Sequence, residues 1–484
     1  MLFNSYIFIL LFLPICILGY FGLNHLKKYN LAQVFLLGMS LWFYGYYNPS
    51  YLLILIFSVL INYGVYLLLG KTEKASMRKV LMIGGVCINV GILLYFKYMD
   101  FFIGNINGIF KTDIDFLRIA MPLGISFFTF QQISFIVDAY RGEIPKYNFW
   151  HYACFVTYFP QLIAGPIVTH DELVPQFNDI EKKKLNSENL AKGFYIFTLG
   201  LAKKILIADM FGKLVSYGYE VTDTLNTLTA IIVMLSYTIQ IYFDFSGYCD
   251  MAIGLGKMMN IDLPQNFNSP YKALTITEFW DRWHMTLTRF FTKYVYIPLG
   301  GSRRGTVRTY VNVFLVFLIS GFWHGASWTF VVWGIMHGVF SIITRIFKKF
   351  FDKIPSVINW LITFGFVNVA WVFFRAETFT QALAVLKAAF TWNFAGFDST
   401  YITLIESTEL VELMDIFSLR TVCPPIILVG YFIVAFALLL GSKNAYEKMQ
   451  AFKPTFWKLA TTMFLLVWSI FSFAGISTFL YFNF

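Results

Sequence analysis

Charge is scarce in this chain of 484 residues. Asp, Glu, Lys and Arg together make up 13% of it, against the roughly 25% of an ordinary soluble domain. That shortage excludes a soluble enzyme, which at this length would need charged faces between its domains, and a disordered scaffold. Cysteine is sparse too. Cys16, Cys87, Cys154, Cys249 and Cys423 are scattered with no CxxC pair, so neither a disulfide framework nor a zinc motif follows. No P-loop, GxSxG elbow or GxGxxG in a strand–helix context occurs, which leaves a conventional nucleotide site without support. There is no internal repeat, which argues against an inverted-repeat transporter, and no low-complexity linker. The N-terminus lacks a basic leader. Its first cations, Lys27 and Lys28, follow the apolar run, the reverse of a cleavable signal peptide.

What is present is apolar: 58% of residues are hydrophobic and 20% aromatic. They come in long uncharged blocks, so the bilayer is the expected solvent. The net charge of +10 reads as cationic cytoplasmic loops, not as a nucleic-acid surface. Residues 1–23 read as a retained first span with its N-terminus outside. Residues 29–70 read as two helices joined by a tight outer turn at Asn48-Pro49-Ser50, followed by the cytoplasmic cations Lys71, Lys74, Arg78 and Lys79. Further spans are expected at 80–96, 119–137, 354–374, 421–442 and 459–484. The chain is thus expected to be one integral-membrane domain over residues 1–484, all-α and polytopic, with about ten to twelve passages of roughly 20 residues.

Two regions depart from plain spans. Residues 147–170 are apolar but contain Pro160, Gly165 and Pro166, with cations on both sides, so the segment is expected to dip into the membrane and return. Residues 309–344 are uncharged and too long for one span. Arg303, Arg304 and Arg308 precede them, and Arg345, Lys348 and Lys349 follow. If both flanks are cytoplasmic, each arm has about 16 residues, roughly 24 Å against a core of roughly 30 Å. That would put His324 at a turn inside the membrane. Between 193 and 221, Lys203-Lys204 suits an interfacial helix at least as well as a span.

Of six histidines, His25, His151 and His170 lie at span edges and read as surface or interfacial. His324 lies deep in an apolar segment, where an ionisable side chain is a functional candidate. Its small neighbours Gly321, Gly325, Ala326 and Ser327 would let a substrate approach. His284 follows Thr275 and Glu278, whose capping-box spacing predicts a helix start. On one helix, Trp280, Asp281, His284 and Thr288 would share a face. Asp281 would then either fix the His284 tautomer or face water. His337, thirteen residues after His324, would lie about 20 Å and 140° away on a continuous helix, which suits a supporting role, as for Arg282. His284 and His324 alone are too few ligands for zinc, so no metal is expected. Asp244, Ser246, Tyr248 and Asp250 lie in or beside an apolar run and read as either helix–helix glue or a cavity lining. Asn266 and Asn268 of the polar loop 264–270, with Trp280, Trp283, Trp323 and Ser327, complete the candidates for lining a substrate pore.

The ordered runs Pro122-Leu-Gly-Ile-Ser-Phe127, Ala164-Gly-Pro-Ile167, Asp244-Phe-Ser-Gly-Tyr-Cys-Asp-Met-Ala-Ile-Gly-Leu-Gly256, Leu263-Pro-Gln-Asn-Phe-Asn-Ser-Pro-Tyr271 and Phe279-Trp-Asp-Arg-Trp-His-Met-Thr-Leu287 are followed by Tyr296-Ile-Pro-Leu-Gly-Gly301, Gly321-Phe-Trp-His-Gly-Ala-Ser-Trp328, Trp333-Gly-Ile-Met-His-Gly338 and Trp371-Val-Phe-Phe-Arg-Ala376. Together they resemble the membrane-bound O-acyltransferases over nearly the whole chain. The pattern is most similar to the branch of the bacterial alginate O-acetyltransferase membrane subunit, with the D-alanyl transfer protein of teichoic acid synthesis further off. Two positions depart from that branch: Asp281 stands where Arg is frequent, and Cys249 where Ser is. The resemblance implies tilted and re-entrant helices around a central pore, with the family's catalytic histidine falling on His324 and a second site residue on His284.

It further implies a multi-pass protein of a bacterial inner or plasma membrane. Its donor would be acetyl-CoA or another acyl thioester, such as one on an acyl carrier protein, with no bound cofactor. The acceptor would be an extracytoplasmic polysaccharide, reached directly or through an SGNH-type partner transferase. His324 would act as general base in its neutral form, and His284 would orient the acceptor or stabilise the oxyanion. The competing reading is a transporter or flippase that moves an acyl or glycan intermediate without covalent chemistry.

Overall fold

The computed structural model describes residues 1–405, 411–412, 414, 416, 423–473 and 479–480. The side chains of Cys423 and Pro424, and the parts of the expected last two spans at 421–422, 474–478 and 481–484, lie outside the described residues. Every regular element described is helical. Seven helices are long and apolar enough to cross a membrane: Phe8–His25, Pro49–Lys71, Ala75–Phe110, Thr227–Met258, Thr306–His324, Trp328–Ile346 and Ser356–Arg375. Phe379–Phe390, Pro425–Gly441 and Phe456–Phe471 are shorter apolar helices. The burial pattern is that of a protein dissolved in lipid. Leu18 is 74% exposed, Leu53 69% and Ile433 64%, whereas Asn62, Asn89, Thr198, Ser236 and Asp244 are buried. Polar groups turned inward must pair with each other, and Asn62 and Asn89 do so reciprocally, at 3.1 and 2.6 Å, across two adjacent helices.

Several boundaries follow directly from local chemistry. At the expected outer turn, Asn48 accepts a hydrogen bond from the Ser50 N–H at 2.9 Å, and Pro49 occupies the first helical turn. The span expected at 80–96 is the middle of a 36-residue helix, Ala75–Phe110. The span expected at 119–137 is Ile125–Arg141 instead. It starts after Gly124, whose φ of +71° suits a residue without a side chain. The irregular segment at 147–170 forms two short helices, Phe149–Thr157 and Phe159–Leu162. Its non-helical backbone beyond them is enclosed by protein, with Ile163, Ala164, Ile167 and Val168 all buried.

The tightest packing is between Ser187–Ala202 and Thr227–Met258. A Cβ on Gly193 would lie 2.5 Å from the Gly254 carbonyl oxygen, and one on Gly200 would lie 2.5 Å from that of Gly247. The two glycine pairs are each seven residues apart in opposite directions, so the helices run antiparallel with backbones in contact. This approach decides the fate of Lys203 and Lys204. They stand in a π-helical turn, Lys203–Ala208. Lys204 Nζ is 2.5 Å from Asp244 and 2.9 Å from Asp209, and Lys203 Nζ is 2.6 Å from Asp250. Each ammonium reaches an acid of the neighbouring helix in the protein interior.

The uncharged segment at 309–344 does turn back on itself. Thr306–His324 and Trp328–Ile346 form an antiparallel pair broken at 325–327. Each arm is 19 residues long, about 28 Å. That is longer than the sixteen expected, because the first helix begins within the cationic run, before Arg308. Arms of this length reach most of the way across a core of roughly 30 Å. The pair closes through Gly321 and Gly334, where an added Cβ would lie 2.5 Å from the carbonyl oxygens of Phe330 and Phe317.

Candidate functional site

His324 is the last residue of its helix, and Gly325 leaves in an extended conformation. A helix end exposes carbonyls without partners. Here they are met by Lys97 of the Ala75–Phe110 helix, whose Nζ donates to the carbonyls of Trp323 at 2.7 Å and His324 at 2.9 Å. The Tyr98 hydroxyl donates to the Phe322 carbonyl. The imidazole is 3% exposed and sits edge-on among Trp323, Trp333 and Phe374, with ring centroids 4.8, 5.0 and 5.1 Å away. A cavity of about 20 Å³ touches it, room for about one water. Lys97, Gly124, Ser126, Phe127 and Trp323 are among its walls.

The small neighbours of His324 do not open this cavity. Gly321 serves the helix pair, and the space beside Gly325 is filled by the Phe330 ring, 2.1 Å from where a Cβ would stand. Ser327 caps the next helix, accepting from the Thr329 N–H at 3.3 Å.

His284 lies in a break between two short helices, Ile276–Arg282 and Met285–Phe291, with a left-handed backbone at φ +46°. The helix does start at Thr275, as its capping spacing predicts, but it does not run through His284. Asp281 therefore faces outward and does not meet the imidazole. The partner is Asn266, whose Oδ1 lies 3.1 Å from His284 Nδ1. The same oxygen accepts from the Thr286 N–H at 3.2 Å and the Thr286 hydroxyl at 2.9 Å. A backbone N–H can only donate, so Oδ1 is an acceptor and Nδ1 of His284 carries the proton. Nε2 is then the basic nitrogen. It is buried with no hydrogen-bond partner among the described residues. Asn266 is itself anchored on Cys249 Sγ at 3.2 Å, and Thr286 takes the Ile167 N–H of the enclosed loop at 3.0 Å.

Trp323 joins the two histidines. Its ring is 4.8 Å from His324 and 6.3 Å from His284, so the imidazoles are at most the sum of those spans apart. Trp333 likewise stands between His324, at 5.0 Å, and His337, at 4.7 Å. The hairpin thus brings His337 closer than a continuous helix would, with an indole in between. His337 Nδ1 accepts from the Trp280 indole N–H at 3.2 Å.

The other sequence candidates have structural partners. Asp244 and Asp250 pair with Lys204 and Lys203, and Ser246 is 3.5 Å from Lys203 Nζ. Tyr248 packs on Phe3 and Phe479, and Trp283 on Phe267, Phe279 and Trp371. Arg282 pairs with Glu278 and donates to the Asn268 carbonyl, while Asn268 Oδ1 accepts from Asn444. Trp280 and Asp281 border a separate cavity of about 420 Å³, shared with Thr286, Arg289 and Lys293. Among the described residues, no three His, Cys, Asp or Glu side chains converge as metal ligands. Lys97, Thr286 and the start of the Ile125–Arg141 helix are absent from the sequence candidates. The signal for Lys97 is a lone cation directly after the uncharged run 80–96.

Comparison with known proteins supplies the remaining evidence. Residues 124–379 match the model of the membrane-bound O-acyltransferase family. The chain is 42% identical over 520 aligned residues to the peptidoglycan O-acetyltransferase of Helicobacter pylori, covering 100% of this chain and 98% of that protein. It is 38% identical over 425 residues to the "Probable alginate O-acetylase AlgI" of Pseudomonas aeruginosa, covering 85% and 79%. A teichoic acid D-alanyltransferase of Bacillus subtilis is 27% identical over 276 residues, covering 53% and 69%. The residues matched by the family model include the helix break at His324 and the loop that holds His284. The chain belongs to the membrane-bound O-acyltransferase family, as a multi-pass bacterial membrane acyltransferase of its alginate O-acetylase-like branch.

Proposed function

We propose that the chain moves an acetyl group from a cytoplasmic acyl thioester, such as acetyl-CoA, to hydroxyls of an extracytoplasmic polysaccharide, with peptidoglycan the first acceptor to test. The observation that carries this reading is the placement of His324. Its helix starts among Arg303, Arg304 and Arg308, which belong in the cytoplasm, and ends about 28 Å away at the imidazole. An acceptor arriving from outside would therefore meet His324 first. The cavity bordered by Arg289 and Lys293 is the candidate donor site, where these cations, each bonded to a carboxylate of the chain, would attract a phosphate-bearing donor. The end-to-end likeness to the Helicobacter pylori peptidoglycan O-acetyltransferase supports peptidoglycan over alginate.

In this mechanism His324 removes the proton of the acceptor hydroxyl as its oxygen attacks the thioester carbonyl. His284 orients the reactants through Nε2. The test is radiolabelled acetyl-CoA supplied to purified protein in vesicles, with peptidoglycan fragments on the opposite side. Covalently acetylated glycan supports the enzyme. Label that crosses without a new ester supports a transporter and overturns the proposal. Label that reaches glycan only after an SGNH-type transferase is added assigns the relay form.

His284 gives a prediction of its own. Asn266→Leu removes the acceptor that fixes its tautomer and leaves three buried donors, on His284 Nδ1, the Thr286 amide and the Thr286 hydroxyl, without it, about 1–3 kcal/mol each. Transfer per folded molecule is expected to fall on the order of 10²-fold, within the range of a misplaced acid–base group. Initial rates normalised to the monodisperse fraction decide it, and an unchanged rate would remove His284 from the mechanism.

A further inference from the structure

The small cavity at His324 is built for negative charge, and none of its lining residues is acidic. Lys97 lines it, and no carboxylate pairs with this lysine among the described residues. Two of the three ammonium protons go to the Trp323 and His324 carbonyls, leaving one for the cavity. Trp323 lines it too. Its indole N–H is buried and has no acceptor among the described residues. Gly124, Ile125 and Ser126 line it as well. They begin the Ile125–Arg141 helix, whose first turn has no side-chain cap and whose end carries partial positive charge; the Ile125 and Phe127 N–H groups donate to the Pro122 and Gly124 carbonyls, so the donor it offers is the Ser126 N–H. His284 is not among the residues that line this space.

We propose that Lys97, with the Trp323 indole N–H and the first turn of the Ile125–Arg141 helix, forms the oxyanion-binding subsite of the acyl-transfer reaction. This rests on the acyltransferase reading and names the residues that hold the reacting oxygen. The acceptor oxygen bonds to the thioester carbonyl carbon while its proton passes to the His324 imidazole. The carbonyl π pair moves onto oxygen, and that anion forms beside Lys97. When it collapses, the C–S bond breaks, and the departing thiolate takes the proton back from the imidazolium. The products are an ester and a free thiol, with no other reactant. Preorganised donors at such an oxygen act only in the transition state, so their loss appears in kcat.

The role is separable from capping the helix end. Lys97→Gln keeps N–H donors for the two carbonyls and removes the charge. Its kcat with acetyl-CoA is expected to fall about 100-fold, with KM within about threefold. Lys97→Cys, alkylated after purification with bromoethylamine, regains an ammonium and at least a tenth of the wild-type rate. Alkylation with iodopropane fills the same space without charge and restores nothing. Wild-type protein treated in parallel controls for Cys16, Cys87, Cys154, Cys249 and Cys423. If Lys97→Gln folds poorly, the alkylated cysteine pair decides the point. Full kcat in Lys97→Gln, or equal rescue by the neutral reagent, overturns the subsite while wild-type transfer and its dependence on His324 stand. Absence of transfer by the wild-type chain overturns the acyltransferase reading and this inference with it.

Discussion

His324→Ala is expected to abolish acetyl transfer. Among the described residues the imidazole and Lys97 are the ionisable side chains lining the small central cavity, and the Lys97 ammonium is held on two backbone carbonyls, so proton removal rests on His324. A positioned general base contributes about 10²- to 10⁴-fold, and the upper part of that range applies where water is nearly excluded. Truncation also removes packing against Trp323, Trp333 and Phe374, so His324→Gln is the better-packed companion. Both variants are expected to reach the membrane in normal amounts and to yield no labelled ester above background. Transfer retained at a tenth of the wild-type rate in either variant would sink the assignment.

The largest effect on stability is expected from Lys204→Met. Lys204 and Asp244 have side chains only 2% exposed, and their charged atoms are 2.5 Å apart. Removing the ammonium leaves a carboxylate in the interior with the Leu480 N–H as its recorded donor. Breaking a buried pair from one side costs about 3–5 kcal/mol, a large part of a typical folding free energy of about 5–15 kcal/mol. Little monodisperse protein should survive extraction in mild detergent. The double variant Lys204→Met with Asp244→Leu removes both charges and should recover most of the loss, because buried pairs contribute little beyond an apolar replacement of similar size. Thermal midpoints by size-exclusion chromatography compare the two, and a single variant as stable as the wild type would refute the argument.

Some of this was legible in the sequence and some was not, for physical reasons. The cations at 303–308 and 345–349 mark the two ends of the helix pair because charge is expensive in lipid and its absence is easy to see. The turn at Asn48-Pro49 is local chemistry. The break at His284 is not. Thr275 and Glu278 announce a helix, and nothing in Trp283-His284 stops it. The interruption is imposed from elsewhere, where the Asn266 carbonyl takes the Met285 N–H and the Arg282 carbonyl takes the Asn268 N–H, at 3.0 and 2.9 Å. The sequence leaves Lys203 and Lys204 open between an interfacial helix and a span for a similar reason, since Asp250 and Asp244, which they meet on the Thr227–Met258 helix, lie forty or more residues away. Small residues around His324 are ambiguous in any sequence. Glycine admits a substrate or a neighbouring helix equally well, and here Phe330 and Gly334 had already taken the room.

The volume at His324, enough for about one water, has a consequence for the cell as well as for catalysis. A protein that takes reactants from two compartments is a potential leak between them. A hydrated ion does not fit through a gap of that size, and bulk water cannot queue there to hydrolyse an activated acyl group. With the proposed two-sided reaction, a plug of indole and phenyl rings around one imidazole would keep the membrane electrically tight while the two reactants stay on their own sides.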